Sequence, residues 1–380
     1  MIEFNLPSLG ADMDEGTLLE WKVHPGDKVG RGQVVAVVDT AKAAVDVECW
    51  QAGEVFELLL EPGVKVPVGT PLMTLLEAGE TAASAQRRER PAGPAGVAEA
   101  PSPGVVPGAP ASTRPRVSPA ARRRAAELGV DAEHLQGSGA QGAVTLRDIE
   151  AAGQVAVVDR NTAMRQAIAS AMSRSKREIP HYYLMESIDL GPLLGWLQAY
   201  NAPLPPERRL LPAVALLKAV ALALRGYPQL NGWWRDGAFH PADGIHLGVA
   251  IALRQGGLVA PTLHAVADKD LPTLMDDFTD LVQRARAGSL RSSELSGAGL
   301  TVTLLGDQGA ESVFGVIYPP QVALVGFGRI AERPWVDGGE LCVRPQVFAS
   351  LAADHRVSDG HYGGRFLAEI HRLLKHPGDL

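Results

Sequence analysis

Through the first 78 residues, short runs in which apolar side chains alternate with polar ones or cluster, TLLEWKV, VVAVVDT, VDVECW, VFELLL and PLMTLL, are separated by Pro-Gly and Gly turns. A period of two sends successive side chains to opposite faces, so these runs predict β-strands. The turn residues repeat: Gly16, Pro25, Gly26, Val29 and Gly32 recur 37 residues later as Gly53, Pro62, Gly63, Val66 and Gly69. A repeat of that length predicts two similar half-sheets related by a pseudo-two-fold axis, a small all-β domain over residues 1–78.

The pattern then stops. Residues 79–113 are mostly Ala, Pro, Gly, Ser and charged residues, with too little apolar surface to offset the entropy of ordering. They predict a flexible, semi-stiff linker able to reach on the order of 100 Å when extended. Residues 114–153 predict two short helices around a Gly-rich loop: SPAARRRAAELG is stopped by Gly129, and Thr145 can cap the helix that follows GSGAQG. Residues 157–380 alternate periodic helices (RQAIASAMSRSKR, AVALLKAVALALRGY, LPTLMDDFTDLVQRARAG, GGRFLAEIHRLLKH) with strands (HYYLMESIDL, IHLGVAIAL, LTVTLLG, QVALVGFG, QVFASLAAD). That alternation predicts an α/β domain of ordinary single-core size, and the chain as a whole is multidomain.

Charge narrows the partners. The chain carries a formal net charge of −7, which argues against nucleic acid. Its first 78 residues hold thirteen acidic and five basic residues, so this domain suits steering onto basic surfaces. Two cysteines, Cys49 and Cys342, provide neither a disulfide framework nor a cysteine-rich metal site, and a reducing compartment is expected. The first residues have no basic-then-apolar leader, and no run of about 18 uncharged apolar residues occurs, so no membrane association and a cytoplasmic location are expected.

Lys42 stands midway between the two repeats in DTAKAAVDVE, where a hairpin tip joins the halves. An unhindered amine there suits a covalent prosthetic arm, whereas a lone exposed lysine elsewhere is an ordinary solvated charge. In residues 137–142 a GxGxxG pattern occurs without a preceding strand, so the dinucleotide reading fails. Near the end lies ADHRVSDG, with His355, Asp359 and Gly360 in an HxxxDG pattern followed by an amphipathic helix.

These features together resemble the dihydrolipoamide acyltransferase (E2) components of 2-oxo acid dehydrogenase complexes, over the whole chain. Residues 1–78 resemble a lipoyl domain, a flattened β-barrel or sandwich whose modified lysine falls at Lys42; biotinyl domains place methionine on both sides, and here Ala41 and Ala43 flank it. Residues 114–153 resemble the small all-α peripheral subunit-binding domain, in which Arg122, Arg123 and Arg124 would grip acidic partners. Ala126 and Ala143 stand where relatives often carry arginine. HxxxDG, with RQAIASAMSRSKREIPHYYL, PQLN, GGLVAP, TVTLLG and PPQVALVGFG in order, resembles the α/β catalytic core with the chloramphenicol acetyltransferase-like fold.

The resemblance implies transfer of an acyl group, acetyl above others, from S-acyl-dihydrolipoyl-lysine to coenzyme A. A free thiol has a pKa near 8.5 and needs a base, the role that falls to His355. Thr303 falls at the oxyanion donor, followed by Leu304 where Asn or Ser is usual, and Asp359 either holds the loop or fixes the histidine tautomer. Thr303 and Gly326 would lie beside coenzyme A. Implied partners are the thiamine-dependent dehydrogenase (E1) and dihydrolipoamide dehydrogenase (E3), within a homotrimer, with or without assembly into a cage, whose active sites lie between subunits. The rival from another class is a non-catalytic lipoyl-bearing scaffold.

Overall fold

Among the described residues, eight strands build the first domain: β1 (Ile2–Asn5), β2 (Glu15–Trp21), β3 (Lys28–Val29), β4 (Gln33–Asp39), β5 (Ala44–Cys49), β6 (Gly53–Leu58), β7 (Lys65–Pro67) and β8 (Pro71–Leu76). The computed structural model describes the chain except residues 8–12, 14, 41–43, 77–116, 129, 131, 133–134, 140–141, 254–256 and 307–308. By contacts it divides into two units, Met1–Ala78 with Met164–Leu380, and Gly79–Ala163.

The strands run antiparallel in two sheets, β1-β8-β6-β3 and β5-β4-β2-β7. Their inward faces enclose Leu6, Leu18, Val35, Val47, Leu72 and Leu75. The 37-residue repeat reappears as paired hydrogen bonds. Gly26 N–H donates to Val55 O (2.7 Å) and Val55 N–H to Asp27 O (2.8 Å). The same exchange, 37 positions on, joins Gly63 N–H to Leu18 O (2.7 Å) and Leu18 N–H to Val64 O (3.1 Å). Each half therefore closes the turn of the other. Gly26 and Gly63 both take φ 93°, a conformation that only glycine adopts without strain. Asp39 pairs with Ala44 across β4 and β5. Lys42 itself lies outside the described residues.

In the small domain, α1 (Pro119–Leu128) begins at Ser118, whose hydroxyl accepts from Ala121 N–H at 3.2 Å. Its Ala121 and Ala125, one turn apart, are buried with Val144 and Ile149. Helix α2 starts at Leu146 and continues unbroken to Glu178. The boundary expected from the sequence, with the small domain ending at residue 153 and the large one beginning at 157, lies within this helix. A Cβ at Gly153 would come within 2.9 Å of Leu128 Cδ1, so this glycine permits α1 and α2 to approach.

The large domain contains β9 (His181–Asp189), α3 (Gly191–Asn201), α4 (Pro212–Leu224), β10 (Gly232–Arg235), β11 (Ala238–Pro241), β12 (Leu247–Ala252), β13 (Leu258–Val259), β14 (Thr262–Leu263), α5 (Leu271–Ala287), β15 (Leu290–Arg291), β16 (Leu300–Leu304), β17 (Ala323–Phe327), β18 (Ala331–Asp337), β19 (Glu340–Asp354) and α6 (Gly360–Lys375). A mixed sheet in the order β13-β12-β16-β17-β19-β18, with β9 also on β19, is parallel from β12 through β17 and antiparallel beyond. Helix α4, apolar nearly all round and almost wholly buried, packs against α5 and α6. Its single charge, Lys218, is spent on the carbonyls of Val266, Ala267 and Lys269.

Gly26→Ala and Gly63→Ala should each destabilise the β domain, by about 1–3 kcal/mol for a side chain held at positive φ. Because the two turns are equivalent by the repeat, the losses should be alike. Urea unfolding followed by the fluorescence of Trp21, whose Nε1 bonds Leu60 O at 3.0 Å, measures them.

Candidate active site

Strand β19 ends in a turn that carries His355. Just before it, Asp354 is fully buried, and a buried carboxylate is tolerated only with close partners. Arg356 supplies them: Nε lies 2.9 and 3.1 Å from the two carboxylate oxygens, Nη2 2.6 Å from one, and the backbone N–H 3.0 Å from the other. The guanidinium is stacked 4.5 Å over the Trp234 ring. Val357 and Ser358 N–H then bond back to Asp354 O, and His355 N–H donates to Pro180 O at 2.9 Å. The turn is pinned on both sides, while the His355 side chain is exposed. Tyr182 packs edge-on against the imidazole, centroids 5.2 Å apart, and is held by a 2.8 Å hydrogen bond to Ser358 Oγ. Burial pushes the Tyr182 phenol up, so it stays protonated at neutral pH.

Asp359 takes the capping position of α6. Its Oδ1 accepts from Tyr362 N–H at 2.8 Å, and its extended backbone (φ −127°, ψ 177°) is that of an N-cap. Among the described residues it makes no hydrogen bond to the His355 ring. Of the two roles expected for Asp359, this geometry builds the loop-holding one. A second histidine, His181, opposite Asp354 in the sheet, is fixed as a neutral tautomer. Nε2 accepts from Ile317 N–H (3.2 Å), so the proton sits on Nδ1 facing Ile179 O (2.8 Å), and burial lowers its pKa.

Thr303 is half-buried near the end of β16, in register with Ala250 on one side and Gly326 on the other; Gly326 in turn faces Ser350 of β19. His355 lies five residues past Ser350 and two strands over, so Thr303 and His355 of one chain stand on the order of 15–20 Å apart. One chain does not bring them together. Gly326 is buried, and a Cβ there would meet Val313 Cγ1 at 2.6 Å and Ser350 Oγ at 2.8 Å, so internal packing accounts for the glycine.

In the small domain Arg122 and Arg123 are exposed and Arg124 is half-buried. Ser138 and Thr145 hold the Asp148 carboxylate, which accepts from Ser138 N–H (2.9 Å), Thr145 N–H (2.8 Å) and the Thr145 hydroxyl (2.8 Å). These bonds hold its pKa well below the usual carboxylate range. The reciprocal Thr145–Asp148 pair caps α2, and a Cβ at Gly137 or Gly139 would strike Ala143 backbone. Sequence reasoning found Thr145 and missed Asp148, although a T-x-x-D spacing before a helix was its signal. It also missed Tyr182, Asp354 and Arg356, the last two within the quoted ADHRVSDG.

Asp359→Ala should cost about 1 kcal/mol of stability as a lost cap, whereas Asp359→Asn should change it by only a few tenths, because asparagine caps equally well. Thermal unfolding of both variants distinguishes capping from a need for the charge.

Residues 156–380 match the family model described as 2-oxoacid dehydrogenases acyltransferase (catalytic domain); residues 2–75 match the model described as biotin-requiring enzyme, and residues 115–150 the e3 binding domain. The chain is 33% identical over 419 residues to the lipoamide acyltransferase component of a branched-chain alpha-keto acid dehydrogenase complex from Pseudomonas aeruginosa, covering 99% of this chain and 98% of the relative. It is 29% identical over 436 residues to the dihydrolipoyllysine-residue acetyltransferase component of a pyruvate dehydrogenase complex from Bacillus subtilis, with 99% and 98% covered. Among solved structures, Azotobacter vinelandii dihydrolipoamide acetyltransferase aligns with a TM-score of 0.53 and 28% identity, over 56% of this chain and 88% of that one. In the Azotobacter enzyme, crystallographic and enzymatic work addresses the catalytic role of a serine, a histidine and an asparagine four positions beyond the histidine. The chain therefore belongs to the 2-oxoacid dehydrogenase acyltransferase family, with a lipoyl domain for lipoate held covalently on a lysine, an E3-binding domain and an acyltransferase core that takes coenzyme A as acceptor.

Proposed function

We propose that the chain transfers an acetyl group from a lipoyl arm on Lys42 to coenzyme A, with His355 as general base and Thr303 as oxyanion donor. The observation that carries this reading is the His355 turn: an exposed imidazole on a backbone fixed from both sides, with both ring nitrogens without a hydrogen bond among the described residues. Lipoate, when attached, presents the acyl group as a thioester on a long flexible tether. The register Asp39↔Ala44 fits that attachment, since Lys42 falls in the sequence between two strands that pair with each other.

His355 takes the proton from the thiol of coenzyme A, which at neutral pH is only a few per cent ionised. Thr303 Oγ1, without a hydrogen-bond partner among the described residues, donates to the carbonyl oxygen as negative charge builds there. Asp359 holds the helix end beside the base, and Tyr182 limits the swing of the imidazole. The separation of the two residues within one chain supports a site shared between subunits, His355 from one and Thr303 from its neighbour, in a homotrimer. Threonine, histidine and aspartate here stand in the same order as the serine, histidine and asparagine of the Azotobacter enzyme, with the same four-residue step between the last two. A branched-chain acyl group is the second reading, favoured by the 33% identical Pseudomonas relative.

The lipoyl-loaded protein should acylate coenzyme A fastest from an acetyl donor, and slower from isobutyryl and succinyl donors. His355→Ala should lower kcat by at least about 10²-fold without loss of assembly, and Thr303→Ala by about 10²–10³-fold. Steady-state assays across the three donors, with peptide mapping of the lipoyl group to Lys42, check this. A rate for His355→Ala within about threefold of wild type would end the general-base assignment.

The match to an E3-binding domain supports dihydrolipoamide dehydrogenase (E3) and the thiamine-dependent dehydrogenase (E1) as partners, gripped by Arg122, Arg123 and Arg124. Charge reversal by Arg122→Glu with Arg123→Glu should abolish the association while acyl transfer from free dihydrolipoamide persists. Ala143→Arg should tighten it, mainly at low salt, since each such contact is worth about 0.2–1 kcal/mol. Calorimetric titration at two ionic strengths reads both effects.

A further inference from the structure

Strand β5 begins two residues after Lys42 in the sequence and forms the edge of its own four-stranded sheet. An uncovered edge presents a row of unpaired backbone groups, and proteins guard such edges with charges. Here the edge carries Asp46 and Glu48, and it is covered. Strand β15 of the catalytic domain pairs with it in parallel, Leu290 opposite Val45 and Arg291 opposite Asp46, which adds a fifth strand to the sheet.

The contact continues past the ladder. Glu48 is only 7% exposed. Its carboxylate accepts from Ser293 N–H (3.2 Å) and the Ser292 hydroxyl (3.4 Å), and its own N–H donates to Ser292 Oγ at 3.1 Å. Leu295 packs into both hydrophobic cores. On the catalytic side the strip is held rigid. Glu294, itself buried, pairs with Arg284 of α5 and accepts from Arg291 N–H at 2.9 Å. Thr262 Oγ1 donates to Ser296 O at 2.9 Å, and His264 Nε2 lies 3.0 Å from Ser293 O. Asp46 faces Arg291 and Arg284 across the seam and Lys22 on its own sheet. A ladder of two residues beside a cavity of about 420 Å³, lined by Glu3, Glu48, Trp50, Ser292 and Ser293, is a small polar contact, suited to release rather than to permanent fusion.

We propose that residues 290–295 form a docking strip for the carrier domain, which adds β5 to the edge of β15 and so seats the carrier on the catalytic domain during transfer. This is strand addition, with backbone bonds giving affinity and the Asp46–Arg291 and Glu48–Ser292 contacts giving register. The proposal rests on the acyl-transfer reading above.

The experiment uses the full-length lipoylated chain, with equal loading of every variant verified by intact mass. Arg291→Asp and Asp46→Arg should each slow transfer from the tethered arm about fivefold or more, the size of a lost charge pair near 1 kcal/mol. The exchanged double variant should recover to within about twofold of wild type. Transfer from free S-acetyl-dihydrolipoamide should be unchanged in all three. Tethered rates indifferent to both single changes, or losses that add in the double variant, overturn the docking strip. So does an equal fall in the free-donor rate, which would mean that Arg291 only shapes the catalytic domain. If the wild type fails to acylate coenzyme A from the free donor, the acyl-transfer reading fails instead.

Discussion

The arrangement around His355 depends on one buried charge. Asp354 ends β19 with no exposure to water, and an unpaired carboxylate there would cost several kcal/mol. Its partner is Arg356, two positions along the same strand of chain, bonded through both the guanidinium and the backbone N–H. When residues i and i+2 turn inward onto each other, the residue between them has only the outward direction left. The exposure of His355 follows from that pairing, and the Pro180 and Asp354 carbonyls fix its height above the sheet. An apolar pair of similar volume at 354 and 356 could match the stability and still lose the turn.

Much of this was legible in the sequence, and unevenly. The 37-residue repeat was read from glycines, a proline and a valine, and the structure returns it as equal φ values at Gly26 and Gly63 and as duplicated hydrogen bonds. The longer helices and central strands of the large domain were readable from their apolar patterns, whereas α3, the β10–β11 pair and β18 were not read. The packing role of Gly153 was not legible, since a glycine that lets two helices touch and a glycine that ends one look alike in a single sequence. Asp354 and Arg356 were invisible for a similar reason. Nothing in a local pattern says that a strand end will be buried, and without the burial the pair is two surface charges. Tyr182, 173 positions before His355, reaches it only through the β9–β19 register.

The carrier and catalytic domains have separate cores, and the seam between them is small. One chain carries both domains, so their effective concentration is far above that of free partners and a weak contact is occupied often. A strong one would hold the arm in place and prevent its return to the other active sites. Two ladder pairs and a few hydrogen bonds to serine sit in that range, and charged residues on the edge strand discourage adhesion to other sheets while it is free.

The position of Thr303 adds a constraint of a different kind. It lies on a parallel strand in the middle of the sheet, whose place is set by β12 and β17, while His355 hangs from the antiparallel end. No rearrangement short of unfolding the sheet would close a gap of that size within one chain. If both residues act on one substrate, the site exists only where two subunits meet. Correct folding of the monomer then does not suffice for activity, and a substitution far from either residue could abolish catalysis simply by weakening the interface. Each residue is presented on a rigid element, so the precision of the shared site is set by how two rigid surfaces dock, which is a more demanding requirement than a loop could meet.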